Sequence, residues 1–176
     1  MKRIVLVVIA SATMCASPGL AQQEKGDKEI GLDGAATISN SNPVNGNVFG
    51  QLSFGRYLQR SQYIGVYAAP QFSFSGGDTS GGFGVGGEYR FLLGHKNARV
   101  WPFIGGQGGE ALSRAAQQWS HREVVAPEFG VKFYASQKTA FEVSYLFMIQ
   151  FNGGASYSSF FDRTQNFVVF GFKHLF

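Results

Sequence analysis

Among 176 residues there is a single cysteine, Cys15, which excludes a disulfide framework and a cysteine-based zinc site. Charge is scarce too, at 15% of residues against the roughly 25% of ordinary soluble domains. The 15 Lys and Arg exceed the 11 Asp and Glu by only four, an excess too small and scattered to point to nucleic acid. No apolar run approaches the roughly 20 residues that a membrane-spanning helix needs. No window repeats its apolar residues with the 3.6 period of a long amphipathic helix either. What is abundant is glycine, with 24 residues, and phenylalanine, with 18. With 44% hydrophobic and 15% aromatic residues the chain has ample surface to bury, so a disordered tail is excluded as well.

The first 21 residues read as an address. Lys2 and Arg3 precede an apolar stretch from Ile4 to Ala10, which continues through small residues to Ala16 before Pro18, Gly19, Leu20 and Ala21 break it. These are the three parts of a secretory signal peptide, with cleavage expected after Ala21 and Ala16 as the alternative. Ala12 and Met14 flank Cys15 poorly for lipoprotein processing, so no lipid anchor is expected. Cleavage removes Lys2, Arg3 and the only thiol, leaving 13 basic against 11 acidic residues, a net charge of +2. Residues 22–28 are expected to be a solvated lead-in.

From Ile30 onward the apolar pattern has a period of two. In residues 139–151, Phe141, Val143, Tyr145, Phe147, Ile149 and Phe151 share one face, opposite Glu142, Ser144 and Gln150. Residues 63–74 set Ile64, Val66, Ala68, Pro70, Phe72 and Phe74 against Gly65, Tyr67, Ala69, Gln71 and Ser73. Residues 83–92 set Phe83, Val85, Tyr89 and Phe91 against Gly84, Gly86, Glu88 and Arg90. With 29–38, 47–58, 99–112, 122–135 and 165–176 this makes eight strands. The connections alternate between long ones rich in Gly, Ser and Asn (39–46, 75–82, 113–121, 152–164) and short ones (59–62, 93–98, 136–138). That alternation predicts an all-β, eight-stranded, antiparallel up-and-down transmembrane β-barrel over residues 29–176, with both termini in the periplasm.

The two faces decide what each meets. A soluble barrel clothes its outside in long polar side chains. Here the large residues are apolar, and the opposite face carries Gly, Ser, Ala and a few ions. That small face suits a narrow eight-stranded lumen, so the bulky one must look into lipid. Closure of the sheet follows, because lipid cannot satisfy an open edge.

Six ionisable residues fall on the small face: Glu88, Arg90, Glu128, Lys132, Glu142 and Lys173. Three acids and three bases in a narrow interior must pair, which predicts a neutralising network that plugs the lumen in preference to an ion pathway. Tyr57, Tyr63, Tyr89, Trp101, Phe133, Tyr134 and Phe176 lie near strand ends, where they suit interfacial girdles. The facing of Trp101, Phe103 and Gln107 stays open. Pro70, Pro102 and Pro127 each remove a ladder donor and predict bulges or strand ends. Tyr157, Phe160 and Phe161, among small polar residues in the fourth long connection, form a candidate contact surface. Insertion at the lipid rim is their alternative reading.

Phe176 closes the chain, with Phe172, Phe170 and Val168 before it on the same face, and His174 where an aromatic or aliphatic residue is usual. This resembles the terminal signal by which outer-membrane barrels are recognised for insertion. A run from Ala98 through Trp101, Pro102, Phe103, Gly105, Gly106 and Gln107 to Gly109 follows a strand ending Glu88, Tyr89, Arg90, Phe91, Leu92 and Leu93. It is followed by Pro127, Glu128, Phe129, Gly130, Val131, Lys132 and Phe133. Together these resemble the outer-membrane β-barrel domain family of small eight-stranded proteins related to OmpA and OmpX. The resemblance implies the fold, the bacterial outer membrane as location, and outer-membrane lipid and the barrel-assembly machinery as partners of a monomer. It specifies activity poorly, because this architecture hosts attachment proteins, envelope stabilisers and a few lipid A acyltransferases and deacylases.

Those enzymes use a histidine with serine and a carboxylate at the outer rim. Only His121 is expected there, near Ser113, Ser120, Glu110 and Glu123; adjacent residues of a strand face opposite ways, which separates Ser120 from His121. Gly82, Gly84 and Gly87 match a dinucleotide fingerprint, but they run into a strand where that fingerprint must open a helix. No catalytic, metal or cofactor site is expected, and no wall-binding domain after Phe176. The reading is a non-enzymatic structural or surface-interaction protein, with a lipid-modifying enzyme and a narrow small-solute pore as alternatives.

Overall fold

Eight strands alternate apolar and small residues with a period of two, and each leaves one row of backbone groups that only the next strand can satisfy. The computed structural model, which describes residues 23–39, 45–75, 78–95, 98–115, 118–152 and 163–176, solves this by closure. The strands are β1 (Lys28–Ser39), β2 (Asn45–Gln59), β3 (Gln62–Ser75), β4 (Asp78–Leu92), β5 (Val100–Ala115), β6 (Gln118–Tyr134), β7 (Thr139–Asn152) and β8 (Arg163–Leu175). Each pairs antiparallel with its sequence neighbours, and β8 returns to β1 to complete a closed barrel. The expected leader and the contact residues Tyr157, Phe160 and Phe161 lie outside the described residues.

The expected faces of β3, β4 and β7 are the observed ones. Leu32, Val66, Phe72, Ile104, Phe129 and Phe170 are among the apolar side chains exposed on the outer surface. Such a belt is unstable in water and stable in acyl chains. Strands of 12 to 17 residues exceed the roughly 9 to 11 needed to cross a bilayer, so they overhang it.

The overhang corrects two expected loops. Only residues 76–77 separate β3 from β4, and 116–117 separate β5 from β6, so most of the Gly- and Ser-rich stretches 75–82 and 113–121 are paired strand. Small polar residues keep the ladder geometry; they merely lack the apolar face that marks a strand in lipid. Pro70 and Pro127 are also mid-strand and not at ends. The β2–β3 and β6–β7 ladders skip a step there and resume in the same register, without a bulge. The register shift described in β2–β3 lies instead between Tyr57 and Gln59, next to the turn.

At the end where β1 begins and β8 finishes, Phe176 N donates to Lys28 O at 3.0 Å and Lys28 N to Phe176 O at 3.2 Å. The lead-in is not uniformly solvated. A turn at Gly26, whose φ of 98° suits glycine, lets its amide donate to Tyr57 O at 2.8 Å, and Gln23 is fully buried.

Candidate functional site

The inward positions along single strands reveal a layered interior. On β7 they run Ala140, Glu142, Ser144, Leu146, Met148; on β6 they run Tyr134, Lys132, Gly130, Glu128, Ala126, Val124. Apolar residues at the terminal end give way to ions and then to apolar residues again. Tyr57, Tyr63, Leu92, Trp101, Phe103, Tyr134, Ala140 and Leu175 pack as one cluster beneath the ions. A second cluster, including Phe49, Leu146, Met148, Phe167 and Val169, lies towards the loop end.

All six ionisable residues expected in the lumen are buried there. Arg90 on β4 is the hub. Its Nε lies 3.1 Å from Glu128 Oε2, its Nη1 3.1 Å from Glu142 Oε1 and its Nη2 3.3 Å from Glu88 Oε2. A planar guanidinium directs its five N–H donors outward in one plane, so it can serve three carboxylates around its edge. Lys132 Nζ donates to both oxygens of Glu29, at 2.9 and 2.8 Å, and lies 3.8 Å from Glu142. Lys173 Nζ donates to Asp33 Oδ2 at 2.6 Å and lies 3.9 Å from Glu142. Hydroxyls complete the layer: Tyr57 donates to Glu29 at 2.7 Å, Tyr63 to Glu88 at 3.1 Å and Ser144 to Glu128 at 2.8 Å.

Glu29 and Asp33 were not among the expected members, and they change the charge arithmetic. Three bases face five acids, so the layer carries a formal excess of two negative charges and is not balanced. Parity held the clue: Ile30 and Leu32 point outward, which turns Glu29 and Asp33 inward.

Four of the seven aromatics expected in girdles are also interior. Tyr57, Tyr63, Trp101 and Tyr134 are buried, and the first two bind the carboxylates directly. Trp101, Phe103 and Gln107 thus all face inward, which fixes the open facing of β5. Trp101 Nε1 donates to Ala98 O at 2.9 Å, and Phe103 lies under Arg90, 5.1 Å from centroid to guanidinium carbon. Tyr134 donates to Gln23 Oε1, and Gln23 Nε2 donates to Arg60 O at 2.9 Å. The lead-in thereby caps the terminal mouth.

Glycine makes room for the ions. A Cβ on Gly171 of β8 would run into the Asp33 carboxylate, and one on Gly105 would sit 2.9 Å from Arg90 Cγ. Gly82, Gly84 and Gly87, the fingerprint spacing, lie within β4 and open no helix.

Above the ionic layer a cavity of about 370 Å³ enters from the loop end. Gln51, Gln71, Gln107, Gln150 and Gln165 line it, together with Phe49, Tyr67, Met148, Glu110 and Arg122. His121, the rim histidine, is exposed with Nε2 3.2 Å from Glu110 Oε2. The side chains of Ser113 and Ser120 lie outside the described set. Val168, Phe170, Phe172 and Phe176 are all exposed on the outer face of the closing strand and its end.

No protein-family model matches the chain, and comparison with curated proteins finds no match. Solved structures do resemble it. Neisserial surface protein A (NspA) aligns with a TM-score of 0.61 at 12% identity, over 88% of this chain and 100% of that one. The N-terminal β-barrel domain of Pseudomonas aeruginosa OprF aligns with a TM-score of 0.56 at 11% identity, again over 88% and 100%. The outer membrane enzyme PagL aligns at 0.43 with 13% identity, over 84% and 98%. The chain therefore has the fold of small eight-stranded outer-membrane barrels.

Proposed function

We propose that this chain is an integral protein of the bacterial outer membrane, exported by a cleaved leader, that works without catalysis as a structural or surface-interaction element. The observation that carries this reading is the interior. Catalysis by these ions or passage of solute between them needs them reachable, whereas here they are spent on one another, beneath a cavity and above an aromatic cluster capped by Gln23. The termini then lie in the periplasm and the overhanging hairpins face outward. Val168, Phe170, Phe172 and Phe176 present the face read by the assembly machinery. Tyr157, Phe160 and Phe161 offer the outer contact. A lipid-modifying role would need a nucleophile beside His121, whose described partner is a carboxylate on an exposed rim.

Two measurements test this together. Outer-membrane fractions should contain the protein in a form that migrates faster on a gel unheated than boiled, and lipid A from expressing cells should have an unchanged mass spectrum. Migration indifferent to heating would overturn closure, and a modified lipid A would overturn the non-catalytic role.

A further inference from the structure

The cavity above the ionic layer is dressed unlike the rest of the interior. Glu110 reaches its edge only by the backbone, its exposed side chain pairing outside with His121, so Arg122 is the charged side chain turned inward and five glutamines supply most of the remaining polarity. Arg122 Nη1 donates to Gln150 Oε1 at 2.8 Å, which anchors one amide. At the floor, where Gln51 pairs across from Asp33 and Gln107 across from Glu88, the situation differs. Gln51 is only 2% exposed, and its Oε1 has no hydrogen-bond partner among the described residues. Gln165 Oε1, higher on β8, likewise has none. A buried amide oxygen left unpaired costs about 1–3 kcal/mol, so whatever occupies the cavity has to donate to these two.

We propose that this vestibule binds a neutral polyhydroxylated small molecule of sugar type, held by the glutamine amides over the apolar wall of Phe49, Tyr67 and Met148. Each amide offers two donors and an acceptor, and a hydroxyl is the common group that answers both. A carboxylate cannot donate to the unpaired Gln51 and Gln165 oxygens, and an ammonium cannot accept from the amide N–H groups beside them. The wall gives the carbon-bound hydrogens of a sugar ring an apolar surface; Phe49 is held rigid there by its stack on Phe167, with centroids 5.6 Å apart. At 370 Å³ the space falls among small-molecule sites and suits a mono- or disaccharide.

The test uses the refolded full chain in phosphocholine micelles, which carry no sugar headgroup to compete. Glucose, galactose, N-acetylglucosamine, maltose and lactose are titrated by saturation-transfer NMR, with glucosamine, glucuronate and decanoate as charged and apolar counterparts. Saturable binding of at least one neutral sugar is expected, weakened about tenfold by Gln51→Leu, the loss of one hydrogen bond. Ala69→Trp, which fills the cavity without removing a polar group, should abolish it. Heat-modifiable migration shows that each variant is folded, and Gln165→Leu replaces Gln51→Leu should the latter not close. Binding of none of the five neutral sugars, binding indifferent to both substitutions, or preference for a charged sugar or for decanoate would each overturn the proposal.

Discussion

Arg90 touches three carboxylates at once, and five acids share the ionic layer with three bases, so its residues are not equivalent. Removing a base strands buried carboxylates and deepens the negative excess. Neutralising one acid reduces it. Arg90→Met is therefore expected to cost about 3–5 kcal/mol, the range for breaking a buried ion pair from one side. Glu88→Gln, which keeps an acceptor for Tyr63, should cost about 1 kcal/mol or less. Urea unfolding in lipid vesicles, followed by tryptophan emission with Trp101 buried in the terminal cluster, measures both. Equal losses in the two variants would show that pairing and not net charge governs the layer. The six ions expected from parity are in the lumen, but their partners could not be read in advance. Lys132 meets Glu29 from 103 residues away, and that meeting depends on the stagger accumulated over intervening strands. Tyr57, Tyr63 and Tyr134 are legible as interior and are expected in a girdle instead, while Trp101 is left open. Nearness to strand ends suggests a girdle, while the parity of the three tyrosines with Ser53, Gly65 and Lys132 turns them inward.

At the level of strands the pattern was readable wherever lipid sets the outer face, and it faded where strands leave the bilayer. Residues 78–82 and 113–115 pair as regularly as the apolar segments, yet carry no alternation to announce it. The seam that closes the barrel could not be read at all. β1 and β8 pair from Glu29 with Leu175 only as far as Gly34 with Phe170, whereas β5 and β6 pair from Val100 with Phe133 to Ala115 with Gln118. Beyond Gly34 the facing groups of β1 and β8 have no described ladder between them. Amides of residues 165–169 that point towards β1 should therefore exchange with deuterium faster than those pointing towards β7, and faster than any β5–β6 amide in the membrane span. NMR-detected exchange in micelles measures this residue by residue. Uniform protection around the barrel would show that the seam is sealed along its full height.

For the whole molecule the question is whether a barrel with a hollow mouth is also a channel. The vestibule descends only to Gln51 and Gln107, and below it every strand contributes either an ion, a glycine filled by a neighbour's ion, or an aromatic ring. A permeating ion would have to displace Arg90 from Glu88 and Glu128 or Lys132 from Glu29, carboxylates with no other cation beside them, an exchange made costly by their burial. Even then it would meet the packed rings of Tyr57, Tyr63, Trp101 and Phe103, with Gln23 behind them. Purified protein in a planar bilayer should thus show no steady conductance steps. Lys132→Ala with Tyr57→Ala, which empties both the ionic layer and the aromatic floor along β2 and β6, should introduce cation-selective steps. Steady steps from the unmodified chain that vanish on Glu142→Ala would mean that the ions form a pathway, and that the layer is a filter where the geometry reads as a plug.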